Sequence, residues 1–447
     1  MRASWWLFVF LAGCTRDPAP GGADTDVAVD DSDGVDATPT YHRDVLPILD
    51  ARCGACHTAG GQAPFDVHYD AAAWASGPPA WTAAAIAAID AGTMPPWSPS
   101  DDCVPMQGVR EVPQAELSVL HAWADAGFPE GDVADEPAPS DGVPDTLGEP
   151  DLVFRSDVAY TPDPAAPDDY RCIVVDPSVD ADAWVRAVTV APDARRVLHH
   201  VILYRLDAAW ADDVVGWDAA ADGVGYPCFG SPGTWDAEAM AGWAPGQRPE
   251  VYGEGVARRL AKGSVLVLQV HYNTLGLDPS AIPSDRTAVE LWTLPEGETP
   301  QLEVRSIPLP DTDLNIPAGD PNVVEESTVS LGQLNGLRRT IGVFPHMHTL
   351  GTSIRLDVAH SDGSSQCLVD IPDWNFAWQQ AYFFDEAEKV LIRNDDELKL
   401  RCTFDNSPAH QQSVNGVLQE PRQVGWGEGT HDEMCLVYLY VTLPAQP

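Results

Sequence analysis

Over most of the chain, hydrophobic positions are grouped in short runs of strand length that are separated by polar turns. From residue 151 onward, short runs rich in Val, Leu and Tyr, such as 265–272 and 436–443, lie between turns of Pro, Gly and Asp, and long helical patterns are missing. This pattern is typical of antiparallel β-sandwiches. One sandwich needs about 100 residues, so we expect two all-β sandwiches that meet near residue 300, over 151–299 and 300–447.

The segment 41–128 has a helical pattern instead. A helix is predicted to begin at Pro113, to place Leu120 and Trp123 on one face, and to end at Gly127. We therefore expect a small all-α domain ahead of the two sandwiches, and a multidomain chain.

The N-terminus has the pattern of an exported lipoprotein. Residues 1–13 combine one positive charge, an apolar run too short to span a bilayer, and small residues before Cys14. The sequence Leu-Ala-Gly-Cys that ends at Cys14 resembles the bacterial lipobox, which implies a lipid anchor; a plain secretory signal is the alternative. Thr15 follows the lipidated cysteine, which indicates the outer membrane, facing the periplasm.

Two stretches of Asp, Ala, Gly and Pro, 14–40 and 129–150, predict flexible acidic linkers. The whole chain is acidic, with 68 Asp and Glu against 25 Lys and Arg and a net charge of −43. Phosphate recognition needs a basic surface, so this charge argues against a nucleic-acid partner. Adaptation to salt and a GC-rich genome both remain open as its origin.

Residues 53–57 read Cys-Gly-Ala-Cys-His, the attachment motif of a c-type haem. Cys53 and Cys56 would bind the haem covalently and His57 would be one axial ligand. A disulfide or a zinc site is the alternative for the two cysteines. Export supports the haem, because such haems are attached outside the cytoplasm.

A Met-Pro-Pro loop at 94–96 lies at the distance from this motif that is typical of small cytochromes, so 41–128 resembles a class I cytochrome c. Met94 is the expected second axial ligand, and Met106, which lacks the Pro-Pro context, is its competitor. Three further histidines are interpreted as ordinary surface residues: His42, His68 and His121.

Four fragments of the second half carry metal-binding side chains. They are Leu-His-His-Val at 198–201, Leu-Gln-Val-His-Tyr at 268–272, Phe-Pro-His-Met-His-Thr at 344–349 and Thr-His-Asp-Glu-Met-Cys at 430–435. For any one of them, a packed or exposed histidine is the alternative. Four in one β-rich segment favour metal binding.

The last two fragments combine imidazole with a thioether. Alternate residues of a strand share a face, so His346 and His348 can hold one ion, and Met434 shares a face with Leu436 and Tyr438. Imidazole suits copper and zinc alike, whereas a thioether favours Cu(I). This set therefore indicates a redox copper site.

The first two fragments supply only imidazoles. Gln269 and His271 share a strand face, but His199 and His200 are neighbours, which an ideal strand sends to opposite faces. Both can bind one metal only if the strand twists sharply or bulges there. By spacing alone this set fits copper or zinc.

With the motifs in this order, residues 151–447 resemble the copper type II, ascorbate-dependent monooxygenases, the family of peptidylglycine α-hydroxylating and dopamine β-monooxygenases. The resemblance implies two jelly-roll-like sandwiches, with one copper each, that face across a solvent-filled cleft. The implied ligands of the electron-transfer copper are His199, His200 and His271. Those of the oxygen-activating copper are His346, His348 and Met434.

Departures from the family concern the substrate. Peptide-amidating members have an arginine two residues before His-x-His, where this chain has Phe344, and a polar residue where it has Leu436. A more apolar organic molecule than a peptide is therefore expected. Tyr438 matches a tyrosine that lines the cleft, with a buried strand tyrosine as the alternative, and Gln269 is also assigned to the catalytic cleft. His431 has no metal role in the family and is interpreted as structural or exposed.

Six of the nine cysteines remain once lipid and haem attachment are assigned, enough for three bridges. Cys402 and Cys435 match a disulfide pair of the family. Cys172 and Cys228 are the only two cysteines of 151–299 and are expected to pair. The two that stay unassigned are Cys103 and Cys367.

The resulting hypothesis is a fused cytochrome and copper monooxygenase that hydroxylates a C–H bond of a small organic substrate with O₂. Its cofactors would be two copper ions and one c-type haem, and the tethered haem would supply electrons at a high effective concentration. Ascorbate or a redox protein would be the external donor. The alternatives are an envelope electron-transfer or copper-binding haem protein without hydroxylase activity, and a haem-bearing adhesion module.

Overall fold

The structure is a computed structural model. It describes residues 38–54, 56–59, 63, 65–68, 74, 77–95, 99–108, 112–136, 147–165, 168–176, 178–228, 231–234, 236–274, 277–330, 338–376, 378–385, 390–414, 417–427 and 432–445. The predicted signal peptide, Cys14, nearly all of the first linker, much of the second and His431 lie outside these residues. No described helix is long and apolar enough to cross a membrane.

Three helices form the first compact part of the described chain. A π-helical turn, Tyr41–Val45, leads into α1 (Leu46–Cys53), and α2 (Pro78–Asp90) and α3 (Gln114–Asp125) follow. Their shared core is fully buried and includes Tyr41, Leu46, Leu49, Leu120 and Trp123. The helix predicted after Pro113 is thereby confirmed, and Gly127 follows it with a positive φ of 79°, a conformation that favours glycine. That this part is a cytochrome c domain stays a prediction.

Among the described residues, ten strands precede residue 300. They are β1 (Leu152–Arg155), β2 (Asp168–Asp176), β3 (Ala183–Ala191), β4 (Leu198–Leu206), β5 (Tyr226–Pro227), β6 (Glu238–Trp243), β7 (Glu250–Val251), β8 (Val256–Leu260), β9 (Val265–Asn273) and β10 (Ala288–Thr293). One described α-helix, α4 (Ala211–Ala220), lies between β4 and β5 and follows a 3-10 turn at Ala208–Trp210. The sequence pattern did not indicate this short helix, because α4 fully buries only Val214 and has a weak apolar face.

The part of the chain that the structure describes after residue 300 contains eleven strands. They are β11 (Leu302–Asp311), β12 (Val323–Ser330), β13 (Arg338–His346), β14 (Gly351–Ala359), β15 (Ser365–Ile371), β16 (Tyr382–Phe383), β17 (Val390–Ile392), β18 (Glu397–Phe404), β19 (Ser413–Val414), β20 (Val417–Leu418) and β21 (Cys435–Pro444). Strands β9 and β21 confirm the two sequence runs singled out as strands.

The strands build layered sheets. A five-stranded sheet, β5-β2-β9-β4-β6, and a four-stranded sheet, β12-β18-β14-β15, each face part of a ten-stranded sheet with the central order β1-β10-β3-β8-β11-β21-β13-β16. The chain is mostly β-sheet with few helices, as expected for the β-sandwich part.

The long sheet crosses the point where two sandwiches were expected to meet. Strand β11 pairs in parallel with β8, with Leu302 opposite Val256 and Glu303 opposite Ala257. Phe344 and Tyr440 of the second half pack in the hydrophobic core of the first. The division near residue 300 therefore stays a prediction, since both the sheet and the core continue through it.

The described cysteines form three disulfides, and one of them, Cys402–Cys435, joins two different sheets through β18 and β21. Cys402–Cys435 and Cys172–Cys228 are both present, as expected. The third, Cys103–Cys367, joins the helical part to strand β15. Its segment, 99–108, also buries Val104 and Met106 in the core of the second sandwich. This segment of the predicted haem domain therefore packs within the β-structure. The helical pattern of 41–128 did not indicate this packing.

Candidate metal centres

The first histidine set lies where strand β4 is irregular. The pairing of β4 with β9 shifts register between Leu198, opposite Tyr272, and His200, opposite His271. This is the bulge that the neighbouring histidines required. It turns both rings to one side, and the Nδ1 atoms of His199 and His200 lie 3.1 Å apart.

His271 completes the first set. One ring nitrogen from each of the three histidines lies within 4.8 Å of the others. Metal–nitrogen bonds are about 2.0–2.1 Å long, so this cluster can share one ion. Burial lowers the pKa values of His200 and His271 well below the usual value, and neighbouring imidazoles lower them further. The neutral ring is the form that binds a metal. The ring of Tyr170 stacks on His271 at 4.0 Å and restrains its orientation.

The second set lies beyond strand ends. His346 is the last residue of β13, and His348 lies in the turn that follows, with ring centroids 5.1 Å apart. The two histidines are therefore close, as predicted, although they do not share one strand. Met434 immediately precedes β21, is 4% exposed, and lines the same cavity as both histidines.

Hydrogen bonds orient both rings of the second set. His346 Nδ1 lies 2.5 Å from Gln379 Oε1, and His348 Nδ1 lies 2.9 Å from the backbone oxygen of Asp432. Since both partners are acceptors, each Nδ1 carries the proton and each Nε2 is left for a metal. Burial, followed by the charge of His348, lowers the pKa of His346 to about 3, so this ring is also neutral.

Glu433 stabilises the turn that carries His348. Its carboxylate accepts the backbone N–H groups of His348, at 2.9 Å, and Leu350, at 2.6 Å. The residue is fully buried, and burial raises its pKa to about 8. Sequence reasoning quoted Glu433 within the Asp-Glu-Met-Cys motif but gave it no role; Gln379 and Tyr170 carried no sequence signal at all.

A cavity of about 390 Å³ joins the two sets. His200 of the first set and His346, His348 and Met434 of the second all contribute to its wall. The cavity is also lined by Phe344, Leu436, Tyr438 and Gln269, the four residues that sequence reasoning assigned to the substrate cleft.

Aromatic and amide groups define this wall further. The rings of Phe344 and Tyr438 stack with centroids 6.0 Å apart. The side-chain amide nitrogen of Gln269 lies 3.9 Å from the sulfur of Cys228. Gln269 also lies opposite Cys172, the other cysteine of that bridge, where β9 pairs with β2. The Cys172–Cys228 bridge therefore abuts the strand that carries both Gln269 and His271.

The predicted haem ligands lie in the helical part. Cys53 ends α1, and Cys53 and Cys56 are partly buried thiols that belong to none of the three disulfides. The His57 ring stacks on Phe65 with centroids 3.9 Å apart, and burial lowers its pKa. Met94 follows α2 and is 42% exposed, so its thioether is accessible. This donor set fits a c-type haem.

Met106 lies elsewhere. It is buried in the core of the second sandwich and forms an antiparallel bridge with Phe384, which favours Met94 over it as an axial ligand. The interpretation of His42 as a surface histidine was wrong: it is 2% exposed and lies 3.4 Å from Glu136. The other two histidines are more exposed and pair with carboxylates, His68 with Asp50 and His121 with Asp90.

Comparison with known proteins identifies the C-terminal part. Residues 325–445 match the model of the copper type II ascorbate-dependent monooxygenase, C-terminal domain. No curated protein sequence matches the chain. The match covers His346, His348 and Met434, and it makes the chain a copper-dependent monooxygenase, an oxidoreductase.

Solved structures add no argument. The VP2 subviral particle of infectious bursal disease virus aligns at 11% identity over 67% of this chain and 74% of the viral chain, with a TM-score of 0.17. The Gt and Gx strains of that virus each align at 12% identity over 69% of this chain and 75% of theirs, with TM-scores of 0.14 and 0.15. At such scores the likeness supports neither the fold nor the function.

Proposed function

We propose that the chain hydroxylates a C–H bond of an apolar organic substrate with O₂, in the cavity between the two histidine sets. The reaction inserts one oxygen atom into the C–H bond and reduces the other to water, so it consumes two electrons and two protons. The observation that carries the proposal is the shared cavity: His200 faces it from one set, and His346, His348 and Met434 face it from the other.

Two copper ions, one in each set, are part of this proposal. His199, His200 and His271 would hold the first, and His346, His348 and Met434 the second. Bound copper supplies one-electron chemistry toward O₂. Burial lowers the pKa values of His200, His271 and His346 and so keeps these rings neutral. Gln379 and the backbone of Asp432 orient the rings of the second pair.

The cavity wall selects the substrate. Phe344 and Leu436 present apolar surface, and Pro308 and Pro310 of β11 extend it. Apolar walls with a few placed polar groups are typical of small-molecule sites. A compact apolar molecule is favoured over a peptide carboxylate, because Phe344 occupies the position where a cationic anchor would stand.

The two electrons are proposed to come from a c-type haem on Cys53 and Cys56, with His57 and Met94 as axial ligands. The Cys103–Cys367 bridge supports this role, because it fastens a segment close after Met94 to strand β15 and so limits how far a haem could move from the β-structure. Ascorbate or a redox protein would reduce the haem in turn.

The lipid anchor on Cys14 is also a proposal. It would hold the enzyme at the outer membrane, facing the periplasm, in an oxidising compartment that agrees with the three disulfides. Labelled palmitate should enter the wild-type protein and not Cys14→Ser.

The deciding experiment is a single turnover. The copper-loaded, haem-containing protein is reduced without oxygen, then mixed with ¹⁸O₂ and a panel of small apolar molecules, and the products are analysed by mass spectrometry. One ¹⁸O atom should enter a substrate. Oxidation of both coppers with no labelled product from any substrate would favour an electron-transfer or copper-binding protein instead.

A further inference from the structure

One loop of the described chain contacts both histidine sets. It connects β15 to β16, and among its described residues the Phe376 ring lies between the sets. Phe376 stacks on His199 with centroids 5.3 Å apart and planes at 27°, and it meets His348 edge-on at 6.1 Å. His199 belongs to the first half of the chain and His348 to the second, so this ring is a direct physical link between the two sets.

The same loop orients a second ligand. Gln379 accepts the proton of His346 Nδ1, and its own amide nitrogen donates to the backbone oxygen of Phe376 at 2.8 Å. Trp374, at the start of the loop, donates its ring N–H to the backbone oxygen of His348 at 3.2 Å. A movement of the loop would therefore displace His346 and His348 together. Through Phe376 it would also change the position of His199.

Segment 99–108 of the helical part holds the loop on its β15 side. Cys103 is bonded to Cys367 of β15. The backbone N–H of Ser100 donates to the carbonyl oxygen of Asp370 at 2.7 Å, one residue before that strand ends.

The same segment holds the β16 side. The backbone N–H of Gln107 donates to the carbonyl oxygen of Phe383 at 2.8 Å, and that of Asp385 donates to the carbonyl oxygen of Pro105 at 2.8 Å. Segment 99–108 thus fastens both ends of the loop, and it begins five residues after Met94, the predicted haem ligand.

We propose that Phe376 is a positioning residue shared by the two metal centres, and that segment 99–108 holds it in place by fastening both ends of its loop. The inference rests on the proposed copper sites. A stacked aromatic ring restrains an imidazole on one face, so the orientation of His199 in one centre depends on the same side chain that restrains His348 in the other. The helical part thereby contributes to the geometry of both centres.

The test uses the full chain with haem, in two backgrounds that each load one centre with Cu(II). His346→Ala leaves only the first centre and His271→Ala leaves only the second. In each, Phe376→Leu is compared with Phe376→Tyr and with Phe383→Leu, which removes an equivalent ring that packs on Tyr440 instead of a histidine.

The readout is the Cu(II) hyperfine splitting in electron paramagnetic resonance. Phe376→Leu should change it in both backgrounds, Phe376→Tyr should restore most of it, and Phe383→Leu should change neither. The double variant Cys103→Ser/Cys367→Ser should produce a smaller change in both, with the haem spectrum intact. Failure of copper to bind at either centre of the wild-type protein would instead refute the proposed function.

A change in only one background, or in neither, would overturn the shared role of Phe376, and an unaffected disulfide variant would overturn the role of segment 99–108. Should Phe376→Leu not fold, 4-fluorophenylalanine at position 376 of each single-centre protein keeps the ring. Its ¹⁹F resonance should broaden when Cu(II) binds in either background, whereas the same probe at 383 should broaden less. A sharp 376 resonance in either background would contradict the proposal.

Discussion

The two histidine sets differ in how the chain supports them. The first is carried by paired strands: His199 and His200 sit at a bulge of β4, and His271 lies opposite His200 on β9. The second lies past the strand ends, where Gln379 and the backbone of Asp432 set the rings of His346 and His348. One set is held by the backbone ladder, the other by side-chain and loop contacts.

Their donors differ as well. Three imidazoles serve both oxidation states of copper, whereas the thioether of Met434 favours Cu(I). A rigid all-imidazole site suits electron transfer, because little has to move when the metal changes oxidation state. A loop-supported site with a soft ligand suits a centre that must bind O₂. Four experiments test whether the two sets differ in this way.

The largest effect is expected from Met434→His, which makes the second set resemble the first in donor chemistry. Copper should stay bound, but product formation should fall by at least about 100-fold, beyond the 10–100-fold typical of lost supporting contacts. Rapid-mixing spectroscopy should still show electron transfer from haem to the first set. Turnover at the wild-type rate would remove the oxygen-activating assignment.

His271→Ala should produce the opposite defect. The second set stays intact and O₂ is still consumed, but the second electron no longer arrives, so hydroxylated product per O₂ should drop several-fold. Copper content should fall from two ions per chain to one. An oxygen electrode run beside product analysis measures the ratio; unchanged coupling would show that the first set is not the electron donor.

A smaller effect should follow Gln379→Leu, which removes the acceptor that orients His346. Copper affinity of the second set should fall about 10–100-fold, while that of the first set, which Gln379 reaches only through the backbone of Phe376, should fall less. Gln379→Glu keeps an acceptor oxygen and should recover most of the affinity. Competitive titration with a Cu(I) chelator distinguishes the two, and equal loss at both sets would mean general misfolding.

The smallest effect concerns Glu250, a buried carboxylate next to the sheet that carries the first set. Glu250 accepts the backbone N–H of Gly242 on β6, which pairs with β4, and burial raises its pKa to about 7. The pKa of Glu250 is higher in the folded protein than in the unfolded chain, where it is about 4.5, so the protonated carboxyl stabilises the fold. This contribution is fully present below about pH 4.5 and is lost as the pH rises through about 7.

Glu250→Gln mimics the protonated form and should remove this dependence. Relative to the variant, wild-type protein should lose at most about 3 kcal/mol between pH 5 and pH 8. Thermal unfolding at both pH values measures it. Parallel curves for the two proteins would show that Glu250 is ionised throughout the range.

Much of the site followed from local sequence. The order of the His-His, His-x-His and Asp-Glu-Met-Cys motifs indicated both ligand sets, and the requirement for a bulge at His199 and His200 was met in β4. Strands β9 and β21 and two of the disulfides were also expected. These features are predictable because strand period, ligand spacing and cysteine counting depend on residues near one another in the chain or on a shared motif.

Contacts between distant segments were not predictable. Phe376 and Gln379 belong to no motif, and they matter only because the β15–β16 loop folds back over both histidine sets. Likewise, 264 residues separate Cys103 from Cys367, and nothing in either neighbourhood indicates the other. An element with a weak apolar face, such as α4, was missed for a related reason: its helix is stabilised by the sheet beneath it.

By itself the sequence determined the donors: which imidazoles, thioether and thiols are available, and which of them a strand or a Cys-x-x-Cys-His motif brings together. The resemblance implied a cleft between the two sets, but tertiary structure alone decided that one sheet continues across the two halves, and that a piece of the helical part fastens the loop between the two histidine sets. The reason is physical. Donor chemistry is a property of single side chains, whereas a shared cavity and a fastened loop arise from packing between segments that are far apart in the chain.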